Sequence, residues 1–154
     1  MSNKLNWKSR VLFILGILSI IGLCEFCGSK NHVDEPVYIK EAKISKIEAD
    51  GTFTVIKLKK LVDTIGIKHP EIVFAQARLE TGNFKSLLFT KNNNLFGFRG
   101  KNGYIEYNHW TESVKAYKRF QDKYYKGGDY YSFLERIGYA EDSNYIKKVK
   151  SCVK

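Results

Sequence analysis

The sequence lacks the glycine-rich signatures of nucleotide-binding proteins. Neither G-x-G-x-x-G nor G-x-x-x-x-G-K-[ST] occurs anywhere in the 154 residues, so nothing supports a dinucleotide-binding sheet or a phosphate loop. Proline is also scarce, at two residues, and no low-complexity segment is present. These absences exclude a collagen-like or wholly disordered chain, and the length fits one globular domain.

Cysteine and histidine are equally sparse, with three of each. Cys24 and Cys27 form a C-x-x-C near the N-terminus, but no βαβ pattern surrounds it to make a redox site. Cys152 lies among apolar residues at helical spacing, which predicts a packing role. The three histidines have no ligand spacing typical of zinc. We therefore expect no metal site and no cofactor.

Long hydrophobic runs are limited to residues 11–23, thirteen residues that follow Lys4, Lys8 and Arg10. A basic segment before an apolar run of this length is typical of a signal peptide, predicted here over residues 1–28. Two alternatives stay open, which are an uncleaved membrane anchor and lipid attachment at Cys24. All three predict export to the periplasm or cell envelope.

Charge is strongly of one sign, with a formal net charge of +10. Such a charge favours an extended acidic partner without specifying it; nucleic acid is the usual one, but an exported protein meets the cell wall or envelope instead. We expect a monomer that binds no nucleic acid.

Hydrophobic spacing divides the remaining chain into an arm over residues 29–52 and a helical domain over residues 53–154. The arm is predicted from its charge and its few large apolar groups. In the domain, apolar residues recur at steps of three and four, which predicts helices that begin near residue 53, at Pro70, after a Thr111 cap, after an Asp129 cap and near Tyr145.

The helix that begins at Pro70 is apolar on almost every side and ends at Glu80, because Gly82 suits the left-handed conformation after a helix. Partial burial and the negative end of the helix dipole both favour the protonated form of a carboxyl group placed there. A protonated acid of this kind is what glycoside hydrolysis requires. The alternative is a solvated charge at a helix end.

Aromatic residues alternate around Asn102-Gly103, which predicts a β-hairpin. In its second strand Tyr104, Glu106 and Asn108 share one face. Glu106 is thus a second candidate carboxylate, with a solvated hairpin charge as its alternative.

Three motifs make the chain resemble glycoside hydrolase family 73, the glucosaminidases that cleave peptidoglycan glycan strands. They are A-Q-A-x-L-E-T-G at residues 75–82, N-N-L-F-G at residues 93–97 and Y-A-x-D-x-x-Y at residues 139–145. The resemblance implies a mainly helical, lysozyme-like α+β fold with a small β-hairpin lobe.

The resemblance also implies roles for particular residues. Glu80 matches the catalytic acid, Tyr139 a tyrosine near the active site, and Asn94 and Phe96 the groove floor where substrate binds. We add two aromatic residues as expected sugar contacts, Tyr104 and Trp110, because an aromatic ring can stack on a sugar ring.

The second catalytic group stays open at this stage. Glu106 would activate a water in an inverting reaction, whereas attack by the substrate's 2-acetamido group would give retention; Glu112 is a weaker candidate. The expected activity is that of an endo-β-N-acetylglucosaminidase. The alternatives are N-acetylmuramidase activity, a non-catalytic wall-binding module and a basic nucleic-acid binder.

Overall fold

A computed structural model describes residues 35–153. These residues form seven helices and one pair of short strands: α1 (Val37–Ala49), α2 (Val55–Thr64), α3 (Pro70–Glu80), α4 (Leu87–Asn92), β1 (Arg99–Gly100), β2 (Gly103–Tyr104), α5 (Trp110–Tyr124), α6 (Tyr130–Arg136) and α7 (Tyr145–Cys152). The predicted mainly helical fold with a small β-hairpin lobe is confirmed. The predicted signal peptide, with Cys24 and its alternatives, lies outside the described residues.

Helix α3 is central to the core, as its composition predicted. Ile72, Val73, Ala75 and Ala77 are all buried, and α3 packs most extensively against α7. A fully buried aliphatic side chain of Val or Ile size contributes roughly 1.5–3 kcal/mol through burial. Pro70 stands at the first position of the helix, where its missing N–H costs nothing.

The helix ends follow local side-chain chemistry. Asp129 caps α6 by accepting the backbone N–H of Ser132 at 2.8 Å, as predicted. Thr111 does not cap α5, because the helix begins one residue earlier, at Trp110, and Thr111 lies inside its first turn, where its hydroxyl donates to Glu48 at 2.9 Å. His109 is the N-cap residue, and its ring nitrogen accepts the N–H of Thr111.

The predicted arm contains α1, which packs on the domain through its C-terminal half. Ile47 is buried and Ile44 packs against the core. The Glu48 carboxylate accepts from Thr111 and forms an ion pair with Lys115 at 2.5 Å, both on α5. This segment is therefore helical and attached over the range of α1, which differs from the loosely packed arm that its low apolar content predicted.

The hairpin lies where it was predicted but is shorter. Its register pairs Arg99 with Tyr104 and Gly100 with Gly103, and the N–H of Ile105 continues the pairing to the carbonyl of Phe98 at 2.9 Å. Beyond this pairing, the side chains of Asn93 and Asn94 donate to the carbonyls of Tyr107 and Ile105, both at 2.9 Å.

Candidate active site

Glu80 is the last residue of α3, and the turn that follows it has left-handed backbone at three successive residues. The φ angles are 53° at Gly82, 59° at Asn83 and 65° at Phe84. The fully buried Thr81 side chain accepts the N–H of Phe84 at 2.9 Å, which stabilises this turn. Left-handed backbone costs a bulky residue such as Phe84 about 1–3 kcal/mol.

An aromatic cluster offsets that cost. The Phe84 ring lies 5.1 Å from Phe53, 5.8 Å from Phe74 and 6.2 Å from Phe89, measured between centroids. Each such pair contributes about 0.5–1.5 kcal/mol beyond burial. The cluster therefore holds the chain in one direction as it leaves Glu80.

Two buried tyrosines lie beside the Glu80 carboxyl group. The Tyr145 hydroxyl forms a hydrogen bond with Glu80, and Tyr139 interacts with its charge. The two tyrosine rings stack with centroids 5.6 Å apart. Burial, with smaller contributions from neighbouring charges that include Glu80, raises the pKa of both hydroxyls well above 10. Both therefore keep their protons at neutral pH.

Tyr139 connects Glu80 to the hairpin lobe. Its hydroxyl donates to the carbonyl of Phe96 at 3.2 Å, and Tyr107 is among the groups that interact with it electrostatically. Burial also raises the pKa of Tyr107, to about 12. The end of α3 and the inner side of the lobe thus meet at Tyr139.

Three predicted site residues are buried and do not form a substrate surface. Tyr139 and Phe96 are each 1% exposed and Trp110 is 2% exposed. The Phe96 ring packs 4.2 Å from Tyr117, and the Trp110 ring packs edge-on against Phe53 at 5.4 Å. A ring without exposed area cannot stack on a sugar, so the predicted substrate contacts of Phe96 and Trp110 are wrong in this structure. Tyr139 was expected only to approach the active site, and it lies beside Glu80.

Asn94 is likewise fully buried, contrary to its predicted role as a substrate contact. Its amide nitrogen donates to the carbonyls of Phe98 at 2.8 Å and Ile105 at 2.9 Å, and its amide oxygen accepts the N–H of Phe98 at 3.0 Å. The bonds to Phe98 hold the segment before β1, and the bond to Ile105 joins that segment to the other side of the hairpin lobe. Asn94 therefore acts as the internal link of the lobe.

Glu106 and Tyr104 are both exposed, and the residue between them is half-buried, in keeping with the predicted alternation. Tyr104 is 47% exposed, and one face of its ring carries the guanidinium of Arg99 at 4.3 Å. Glu112 lies in the first turn of α5, where its carboxylate accepts the N–H of Asn108 at 3.3 Å. Glu106 is thus an exposed carboxylate, while Glu112 stabilises a helix start.

Comparison with known protein families gives a match to the part of the chain that contains Glu80, Tyr139, Tyr145 and the hairpin lobe. A family model described as mannosyl-glycoprotein endo-β-N-acetylglucosaminidase, the glucosaminidase family, matches residues 57–154, which is more than half of the chain. The chain belongs to the glucosaminidase family. This glucosaminidase is therefore a glycoside hydrolase, and the family supports activity on peptidoglycan in general terms. Comparisons with curated proteins and with solved structures find no match.

The sequence of the glucosaminidase did not lead us to Gln76, a buried polar residue that contacts Tyr145 next to Glu80. Gln76 is fully buried on α3, where its amide donates to the Tyr145 hydroxyl at 3.0 Å and accepts from Tyr117 at 2.6 Å. The available signal was one amide between two alanines in an otherwise apolar helix. Such a residue needs buried partners, because an unpaired buried amide costs free energy.

A metal-binding cluster and a membrane-spanning helix are both absent from the part of the glucosaminidase that the structure describes. Within residues 35–153, no three His, Cys, Asp or Glu side chains are grouped so that they could hold a metal ion. In the same range, none of the helices has the length and apolar character needed to cross a membrane.

Proposed function

We propose that this glucosaminidase hydrolyses the β-1,4 bond that follows N-acetylglucosamine in peptidoglycan, with Glu80 as the general acid. The observation that carries the proposal is the position of Glu80. It is half-buried at the end of α3, its carboxyl group contacts the Tyr145 hydroxyl, and the left-handed turn after it sets the direction of the chain.

In the proposed step the Glu80 carboxyl group gives its proton to the glycosidic oxygen as the bond from that oxygen to the anomeric carbon breaks. Water then supplies the hydroxyl at the anomeric carbon; its other proton passes to Glu106 in the inverting route, or to the Glu80 carboxylate in the acetamido-assisted route. Glu80 is an anion after the transfer, and the Tyr145 hydroxyl is placed to donate to it. A hydrogen bond to a charged group is worth about 1.5–3 kcal/mol, so this contact stabilises the developing charge.

The second group is proposed to be Glu106, which is exposed on the hairpin lobe and able to meet a water. The anomeric configuration of the first product, followed by NMR, tests this role. Inversion together with loss of activity in Glu106→Gln would support a general base. Retention with an active Glu106→Gln variant would instead indicate attack by the substrate's own acetamido group.

Export to the cell envelope is also proposed, from the net charge of +10 and the basic and apolar N-terminal segment. Cell fractionation of the full chain and of Cys24→Ser tests it. A protein that stays in the membrane fraction only with Cys24 present would support lipid attachment. Intracellular retention of both proteins would contradict export.

The activity is tested by digesting purified peptidoglycan with the full chain and reducing the released ends with borohydride. N-acetylglucosaminitol at the new ends is the expected result. N-acetylmuramitol would show the muramidase alternative, in which the same groove accepts the glycan in the other register. Binding without release of soluble fragments would favour a wall-binding module.

A further inference from the structure

A chain of buried hydrogen bonds runs through the core and reaches Glu80. It begins at the backbone of Lys68 and passes through side chains on α5, α6, α3 and α7, in the order Gln121, Tyr130, Tyr117, Gln76 and Tyr145. Tyr130, Tyr117, Gln76 and Gln121 are each at most 1% exposed. Water therefore cannot take the place of a missing hydrogen-bond partner, and each donor in the series needs an acceptor within the protein.

The direction of these hydrogen bonds is determined by Gln121, at the end of the series farthest from Glu80. The N–H of Lys68 donates to the amide oxygen of Gln121 at 2.6 Å, and the Gln121 amide nitrogen donates to the Lys68 carbonyl at 2.8 Å. This pairing allows one orientation of the Gln121 amide. Its nitrogen consequently faces the Tyr130 hydroxyl, at 3.0 Å, and donates to it.

The remaining links follow one after another. Tyr130 accepts from Gln121 and has one proton, which it gives to Tyr117 across 2.8 Å. Tyr117 then gives its own proton to the amide oxygen of Gln76 at 2.6 Å. The amide nitrogen of Gln76 is left to donate to Tyr145 at 3.0 Å. Tyr145 accepts this bond, so its single proton is directed to Glu80.

The opposite orientation of the Gln76 amide would leave the lone pairs of the Tyr145 oxygen facing those of the Glu80 carboxylate. If the Gln76 amide were rotated by half a turn, its oxygen would face Tyr145, and the Tyr145 proton would point away from the Glu80 carboxylate. The amide nitrogen would then meet a Tyr117 hydroxyl with no acceptor for its proton, because Tyr130 donates to it. The titratable groups that interact with Tyr145 in addition to Glu80 are the tyrosines Tyr117, Tyr130 and Tyr139.

We propose that Gln76 is a positioning residue: with the hydrogen-bond chain behind it, it makes the Tyr145 hydroxyl an obligatory donor to Glu80. The catalytic value of this arrangement rests on the proposed function of Glu80. The arrangement itself is a property of the folded protein. It means that groups on α5 and α6 determine the direction in which Tyr145 presents its proton.

The test is a ¹³C NMR titration of the Glu80 carboxyl group in the full chain, with the resonance assigned from its loss in Glu80→Gln. Tyr145→Phe removes the donor, and Tyr117→Phe removes the link that precedes Gln76 in the hydrogen-bond network. Loss of a donor to a carboxylate favours the protonated form, so the midpoint should rise by about 1 pH unit in Tyr145→Phe. It should rise in the same direction in Tyr117→Phe and stay unchanged in the control Tyr131→Phe.

Tyr130→Phe breaks the same chain one link earlier and replaces Tyr117→Phe if that variant does not fold. An unchanged midpoint in a folded variant of either residue would overturn the inference. The alkaline limb of the pH dependence of kcat/KM should move to higher pH with the midpoint, with KM unchanged. Shifted midpoints without muropeptide release would refute the proposed function alone, and release with unshifted midpoints would refute this inference alone.

Discussion

Asn94→Asp is predicted to destabilise the glucosaminidase in a pH-dependent manner, because it changes only one atom of a fully buried side chain. The introduced carboxyl group can still accept the N–H of Phe98, at 3.0 Å in the parent. It replaces the amide nitrogen that donates to the carbonyls of Phe98 and Ile105 with an oxygen. At neutral pH an anion would face these two carbonyl oxygens.

The magnitude follows from the partners that remain. The Phe98 carbonyl keeps the N–H of Ile105 at 2.9 Å, whereas the Ile105 carbonyl loses the donor that Asn94 provided. A buried acceptor deprived of its donor costs about 1–3 kcal/mol, and burial of the anion raises the pKa of the new acid. Each unit of that rise costs about 1.4 kcal/mol above the folded-state pKa. We expect a loss near 3 kcal/mol at pH 7, or roughly 12 °C in melting temperature.

The sign of the pH dependence is definite. An acid whose pKa is raised by folding binds its proton more tightly in the folded state, so stability falls as pH rises from the unfolded pKa, about 3.9, to the folded one. The assay is thermal unfolding followed by circular dichroism at pH 4 and pH 7. Asn102→Asp, in the exposed hairpin turn, is the matched control and should change little. An Asn94→Asp protein that melts like the parent at pH 7 but releases muropeptides poorly would refute this reasoning and favour a substrate contact.

Two further predictions concern stability. Glu48→Gln removes the charge that Lys115 stabilises, and the pKa of Glu48 is lowered from 4.5 chiefly by its hydrogen bond with Lys115. The stabilisation is therefore present above pH 4.5 and is lost as pH falls through the folded pKa, so the difference between variant and parent in urea unfolding should be full at pH 7 and shrink as the pH falls below 4.5. Equal stabilities at pH 7 would contradict the contact. Gly82→Ala should cost about 1 kcal/mol because φ is 53° there, although a Cβ would meet nothing within 4 Å. Gly100→Ala is its control, with a Cβ in ordinary contact at 3.6 Å from Ile105 and no left-handed backbone, and equal losses in both variants would refute the conformational explanation.

Sequence patterns predicted the parts of the fold that depend on local rules. Pro70 and Gly82 mark the two ends of α3, and Asp129 caps α6, each through chemistry within a few residues. Helix α1 was missed because the apolar face it buries is narrow. Ile47 is its buried residue, and its attachment depends on a contact between Glu48 and α5, far away in the sequence.

In the candidate site, too, features set by nearby residues were predicted and features set by distant contacts were not. Local patterns placed Glu80 at the end of α3 and the hairpin turn at Asn102-Gly103. The motifs selected Asn94 and Phe96, but motif membership does not distinguish a residue that touches substrate from one that supports its neighbours. Asn94 and Phe96 are of the second kind, since their side chains are buried. The direction of the hydrogen bonds behind Gln76 depends on contacts among α3, α5, α6 and α7, which no local pattern encodes.

The central claim is that Glu80 supplies the proton to the leaving sugar, and Glu80→Gln tests it most directly. The variant keeps the shape of the side chain and removes its acidic proton. Glu71→Gln, the same change in the exposed first turn of α3, is the matched control. Soluble fragments with N-acetylglucosamine ends should be released by the parent and by the control at similar rates, and about 10²–10⁴-fold more slowly by folded Glu80→Gln. Release by Glu80→Gln at the rate of the parent would contradict the account.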